Sequence, residues 1–264
     1  MTQTSAARAD AAAGKVAGTQ AISRAFALLN VFRDEGGDLG VVQLADRLGL
    51  TLSTAHRIAR ALVLEGYLAQ DEGRERYRLG PQSLLLGQAA QKAMGIQVAR
   101  PVMQRLADNT HESVNLGLLD GDHAIVIQRI ESSQPLRFSV DVGTRIELHA
   151  TSMGKSLLAF NDDLRGYVDS LDEDLVRLTS KTHPTKSSLQ ADLDQIRSRG
   201  WSTDDEESMI GVRCVAAPVL DSSGQARAAV AIQAPAVRMP DSRFGELGPE
   251  VRRAADELAS LLPL

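Results

Sequence analysis

The residues of this chain that could do chemistry fall into a few groupings. The densest lies between positions 51 and 64, where Ser53, Thr54, His56, Arg57 and Arg60 share a stretch that holds no acid. Hydroxyls and guanidiniums of that kind suit phosphates, and Arg or His suits base edges in a duplex groove. A solvated helix face would carry the same residues, because exposed Arg is ordinary. A second grouping is Ser152-Met153-Gly154-Lys155-Ser156. Its Gly-Lys-Ser resembles the end of a phosphate-binding loop, but that motif needs a glycine five residues earlier, and His149 stands there. Ser152-x-x-Lys155 also matches the Ser-x-x-Lys of serine β-lactamases and related amidases. No Ser-Asp-Asn accompanies it, and Lys181-Thr182 is followed by His183 instead of glycine. A Ser–Lys amidohydrolase is therefore the enzyme alternative, and hydrolysis lost in Ser152→Ala would be its mark. His149, His183, Asp204 and Cys214 are metal-ligating types, but their spacing fits no compact ligand pattern. Neither a metal nor a cofactor is expected.

The elements that must position these residues follow from periodicity. Ala55, Ile58, Ala59 and Leu62 recur at helical spacing, so residues 51–64 form a helix with its polar residues on the other side. Thr51 can cap it. Val41, Leu44, Ala45 and Leu48 predict a short helix stopped by Gly49, and Ile22, Phe26 and Leu29 an earlier helix over 19–32. Helix, glycine turn and helix make a helix-turn-helix, whose second helix enters the major groove. Two short runs around Asp71-Glu72-Gly73 predict a hairpin, a wing, with Tyr77 and Leu79 facing in and Arg76 and Arg78 out. Arg74 at its tip can reach phosphates or the minor groove.

Residues 81–97 read as an apolar linker helix that packs against a partner chain or the second domain. From 98 onward the pattern changes. Residues 98–110 are helical, 113–119 and 123–130 are strands around Asp120-Gly121, and 136–140 form a further strand. Helices follow from 149, over 164–178 and over 189–199. Residues 201–207 form a loop or strand edge, 214–220 and 226–234 are strands, and 244–262 is a closing helix. Strands paired with sequence neighbours and helices in separate runs indicate an α+β fold with an antiparallel sheet.

Composition narrows the class. The net charge is −5, so no global basic footprint for nucleic acid exists. The first 80 residues hold ten basic and nine acidic side chains, and the remaining 184 hold 19 and 25. The single cysteine rules out an internal disulfide and fits a reducing cytosol. No apolar run reaches about 18 residues, and the beginning lacks a secretory h-region, so a cytoplasmic location without membrane contact is expected. Residues 1–18, small, polar and Ala/Gly-rich, read as a disordered arm.

Over residues 19–262 the chain resembles the IclR (isocitrate lyase regulator) family of bacterial transcription factors. The residues that carry this are Ser23-Arg24-Ala25-Phe26-Ala27-Leu28-Leu29, Leu48-Gly49-Leu50 leading into Ser53-Thr54-Ala55-His56-Arg57, and Tyr77-Arg78-Leu79-Gly80. Further along they are Val142-Gly143, His149-Ala150 with Gly154-Lys155, Arg199-Gly200-Trp201 followed by Asp204 to Glu207, Gly211 to Val219, and Ala231-Ile232-Gln233-Ala234-Pro235. The resemblance implies a winged helix-turn-helix (19–80), a linker helix (81–97) and a GAF-like effector-binding domain (98–264), assembled as a homodimer or a dimer of dimers. It implies an effector pocket built from Pro135, Phe138, Ser152, Met153, Gly154, Asp204, Val212, Cys214, Ala231 and Gln233.

The free N–H groups at the start of the helix at Ser152 suit a carboxylate. An ordinary N-cap reads the same way. Family members that bind small polar acids have serines where this chain has Ala231 and Gln233, and small residues at Ser152 and Met153. Phe138 and Met153 make the pocket partly apolar, so an aromatic or otherwise partly apolar acid, or its derivative, is the expected effector. The implied function is effector-controlled binding to operator DNA, with repression favoured over activation. Its rivals are the amidohydrolase and a scaffold protein that binds no DNA.

Overall fold

The computed structural model describes residues 19–71, 73 and 75–264. The arm expected at 1–18 and Arg74 lie outside the described residues. Two compact units are present, Met1–Ala90 and Gln91–Leu264.

In the first unit, α1 (Gln20–Glu35) is followed by β1 (Leu39–Gly40), α2 (Val41–Leu48), α3 (Leu52–Leu64), β2 (Leu68–Asp71) and β3 (Arg76–Leu79). The Gln43 side chain accepts from the Gly40 N–H at 2.9 Å and starts α2. Gly49, left-handed at φ 60°, ends it. Three helices close over Leu28, Phe32, Leu44, Ala59, Leu68 and Tyr77. The hairpin carries a third strand that periodicity does not reveal: β1 pairs with β3, giving the order β1-β3-β2. Two residues are too few to display a period.

Two inward assignments are corrected. Leu28 and Phe32 form the buried stripe of α1, whereas Ile22 and Phe26 are 57% and 60% exposed. Both sides of α1 carry apolar residues at helical spacing, so the spacing alone could not choose between them. Leu79 is 45% exposed, unlike Tyr77, because β3 ends there with β1 alongside only its first residues.

The linker helix is shorter than its apolar run suggests. α4 (Pro81–Ala93) stops before Gly95, which is left-handed at φ 66°, and α5 (Ile96–Thr110) begins at once. No residue of α4 is buried.

In the second unit, β4 (Ser113–Asp120), β5 (His123–Ile130), β6 (Arg145–Glu147), α6 (Ser152–Phe160), α7 (Arg165–Ser170), α8 (Lys186–Arg199), β7 (Ser202–Asp205), β8 (Val212–Leu220), β9 (Ala226–Pro235) and α9 (Asp241–Leu261) follow in order. The strands form one antiparallel sheet, β6-β5-β4-β9-β8-β7. Alternation divides its side chains. Val114, Leu116, Val215, Ala217, Val230 and Ile232 pack with α5 and α9 on one face. Ala216, Ala229 and Ala231 pack with α6 and α8 on the other.

Residues 136–140 do not form the expected strand. The Arg129 guanidinium takes the carbonyls of Phe138 (2.6 Å) and Val140 (2.9 Å), groups that a ladder would have used. The helix expected over 164–178 ends at Ser170, and the Thr182 hydroxyl accepts from the N–H groups of Leu178 and Thr179 further on. Residues 201–207 contain a true edge strand, β7. Among the described residues no helix is long and apolar enough to cross a membrane.

Candidate nucleic-acid interface and ligand pocket

The start of α3 is built by Thr51. Its Oγ1 accepts from the Thr54 N–H at 3.3 Å and bonds the Thr54 hydroxyl at 2.8 Å and that of Ser53 at 3.2 Å. Ala55 and Ala59 are fully buried, which turns Ser53, His56, Arg57 and Arg60 outward. The ion pairs of this unit among the described residues are Arg33–Asp34 and Arg47–Glu35, so no carboxylate neutralises the outward face of α3.

The wing differs from expectation at Arg76. It is half-buried, and its guanidinium donates to the Asp38 carbonyl, because pairing of β1 with β3 brings residues 38–40 beside it. Arg78, two residues on, is exposed.

In the second unit the register gathers the expected pocket residues on one sheet face. Asp204 lies opposite Cys214, Cys214 opposite Gln233, Ala216 opposite Ala231, and Ala231 opposite Asn115. Directly paired residues point to the same side, so Asp204, Cys214, Gln233, Ala231 and Asn115 share the face that α6 covers.

α6 is anchored by a cap. Thr151 Oγ1 donates to the Glu147 carbonyl (2.7 Å) and accepts from the Gly154 N–H (3.0 Å). The Gly154 N–H is therefore committed within the chain, and Gly154 serves packing instead. A Cβ there would lie 2.3 Å from Leu148 Cα, so only glycine lets the helix approach this backbone. The N–H groups of Ser152 and Met153, in the first turn of α6, have no intrahelical partner. Burial pushes the Cys214 thiol well above its ordinary value, the Asp204 charge adds to this, and the Ser152 side chain opposes it. Met153 is buried against Gly117, where a Cβ would lie 3.0 Å from its sulfur.

Asp204 is largely engaged by its own loop. It accepts from the N–H groups of Glu207 (2.7 Å) and Ser208 (3.2 Å) and from the Ser208 hydroxyl (2.5 Å). Burial pushes its carboxyl up to about 6. Val212 is buried at the start of β8. Phe138 is half-buried, 4.0 Å from a Cβ placed on Gly211, and Pro135 is exposed.

Two residues escaped the sequence reading. Asn115, 2% exposed, donates to Gln233 Oε1 at 3.3 Å, and its own Oδ1 has no partner. A polar residue in an alternating strand looks like an outward residue, and only burial distinguishes it. Arg129 likewise reads as a surface charge but holds the 138–140 segment.

The rival chemistries lose their geometry. Lys155 is fully buried, and its Nζ contacts Asp192 Oδ2 (2.8 Å) and Glu207 Oε1 (2.6 Å), carboxylates in place of a serine hydroxyl. His183 Nε2 joins the same Asp192 oxygen at 3.2 Å, whereas His149 Nε2 meets the Val176 carbonyl at 2.9 Å. Among the described residues no cluster of His, Cys, Asp and Glu could hold a metal.

A polar outward face on a capped helix in a winged head, joined to a sheet domain with buried polar residues on one sheet face, has known counterparts. Residues 88–260 match the model for the bacterial transcriptional regulator IclR C-terminal domain, and residues 21–72 match the IclR helix-turn-helix domain. The chain belongs to the IclR family. It is 35% identical over 245 residues to the HTH-type transcriptional regulator BhcR of Paracoccus denitrificans, covering 92% of this chain and 87% of that one. It is 31% identical over 252 residues to the transcriptional repressor IclR of Escherichia coli, covering 90% and 88%. The fold is shared with an IclR homolog from Microbacterium hydrocarbonoxydans in complex with 4-hydroxybenzoate, at TM-score 0.79 and 23% identity over 91% of this chain and 99% of that one. This IclR-family chain is thus a DNA-binding transcriptional regulator and not an enzyme.

Proposed function

We propose that this regulator is a repressor that binds an inverted repeat near its own gene as a homodimer or a dimer of dimers. A partly apolar, in particular aromatic, carboxylic acid in the second unit then releases it. The observation that carries the DNA-binding part is the acid-free outward face of α3. Ser53, Thr54, His56, Arg57 and Arg60 meet the major groove, and the wing, through Arg74 and Arg78, meets the flanking backbone. Apolar residues exposed on the first unit and its linker support self-association: Ile22, Phe26, Leu84, Leu85 and Leu86 are all more than half exposed.

For the effector, the carboxylate sits at the Ser152 and Met153 N–H groups and the apolar part lies against Met153, Ala231 and Phe138. Val212, Cys214, Asp204 and Gln233 complete the lining, with Gly154 behind it and Pro135 at the rim. Release is a population shift, which requires the acid to bind one arrangement of the two heads better than the other.

Fluorescence anisotropy on the DNA upstream of the gene tests the reading. Binding should fall steeply with salt, and the acid should weaken it. Arg57→Ala should cost about 1–3 kcal/mol and relax base preference. Unchanged affinity in Arg57→Ala would show that α3 is not the reading helix. Calorimetric binding of glyoxylate or pyruvate, with none for aromatic acids, would overturn the effector assignment.

A further inference from the structure

Asn115 carries information about the effector that the pocket's carboxylate end does not. It lies on β4 directly opposite Ala231, two residues along β9 from Gln233, on the face covered by α6. Met153 rests on Gly117, two residues further along the same strand and on the same side, so the start of α6 passes over this part of the sheet. Asn115 is 2% exposed; its Nδ2 is used on Gln233 and its Oδ1 is buried without a partner. Buried polar atoms in native structures are nearly always hydrogen-bonded, because desolvating an acceptor without a partner is costly. The alanine directly opposite, Ala231, has no polar atom in its side chain to satisfy the amide. Apolar residues would have filled this position at less cost if the pocket took only a hydrocarbon body.

Accepting the pocket reading above, we propose that Asn115 is a specificity-determining residue that reads an uncharged hydroxyl on the effector. The effector class is then a hydroxy-substituted carboxylic acid. Its carboxylate binds the N–H groups of Ser152 and Met153, and its hydroxyl donates to Asn115 Oδ1. A second carboxylate at this point would face an acceptor oxygen, so dicarboxylates are disfavoured.

The test is calorimetric titration of the full-length protein with benzoate and with 2-, 3- and 4-hydroxybenzoate. The wild type should bind one hydroxybenzoate roughly tenfold more tightly than benzoate, the worth of about one neutral hydrogen bond. Asn115→Leu, nearly equal in volume, should bring the two affinities together chiefly by weakening the hydroxy acid. If Asn115→Leu does not fold by circular dichroism, Asn115→Ala gives the same readout with a smaller side chain. A wild type that binds the acids without hydroxyl preference, or a variant that keeps the preference, overturns the role of Asn115 and leaves the pocket standing. A wild type that binds none of the four overturns the aromatic pocket reading and this inference together.

Discussion

Arg57 and Asp204 behave oppositely as residues. Arg57 is exposed and unpaired, so its chemistry is available to a partner. Asp204 is buried and turned inward on its own loop. Its raised proton affinity has a consequence for stability. Burial, its first cause, lifts the carboxyl from an ordinary 3.8 to about 6, so the folded chain binds this proton more tightly than the unfolded chain. The linked stability is present in acid and is lost as pH rises between those values, by about 3 kcal/mol at most. Asp192 works in the other direction. Burial opposes its ionisation, but the bonds from His183 and Lys155 outweigh it and hold the carboxyl well below the usual range. Its contribution is present above pH 3.8 and lost below that. Urea denaturation of Asp204→Asn should therefore show a flatter stability profile between pH 4 and 6 than the wild type. Parallel profiles would mean that Asp204 is not desolvated. The types of these residues were legible in the sequence; their protonation was not, because it depends on which atoms surround them after folding.

At the scale of elements, the capped starts of α3 and α6 do comparable work. Thr51 and Thr151 each accept from a first-turn N–H, which leaves the preceding amides for a partner. α6 also depends on a close approach that only glycine permits. Gly154→Ala should displace α6 from Leu148 and destabilise the second unit by about 1–3 kcal/mol. It should also weaken acid binding more than operator binding, as read by denaturation, calorimetry and anisotropy on one preparation. Wild-type acid affinity in this variant would show that the start of α6 is not the carboxylate anchor. The helices and the long strands were readable from periodicity. The two-residue β1 and the irregular 136–140 segment were not, because side-chain and backbone hydrogen bonds from distant residues, Arg129 above all, decide them.

At the scale of the whole molecule, the proposed assembly supplies two heads. The first 80 residues are close to neutral, so bulk attraction to DNA is weak, and in the proposed assembly affinity comes from specific contacts made by both heads. In the proposed assembly the exposed leucines of α4 supply the contact between copies. Leu85→Glu should shift the protein towards monomer in sedimentation and reduce operator affinity while each unit stays folded. A variant that sediments as the wild type would exclude α4 from the assembly contact.

The sequence by itself determined the winged helix-turn-helix and the antiparallel sheet fold, the helix after Thr51 with its cap, and the positions of the long strands. These are local matters: apolar period, capping residues and turn glycines act over a few positions. Tertiary structure alone decided which side of α1 is buried, that Arg76 turns to the Asp38 carbonyl, that Lys155 is a buried counter-ion to Asp192 and Glu207, and that Asn115 lies beneath α6 with a free acceptor. Each depends on residues far apart in the chain brought within hydrogen-bond or van der Waals distance, and no spacing along the sequence records that.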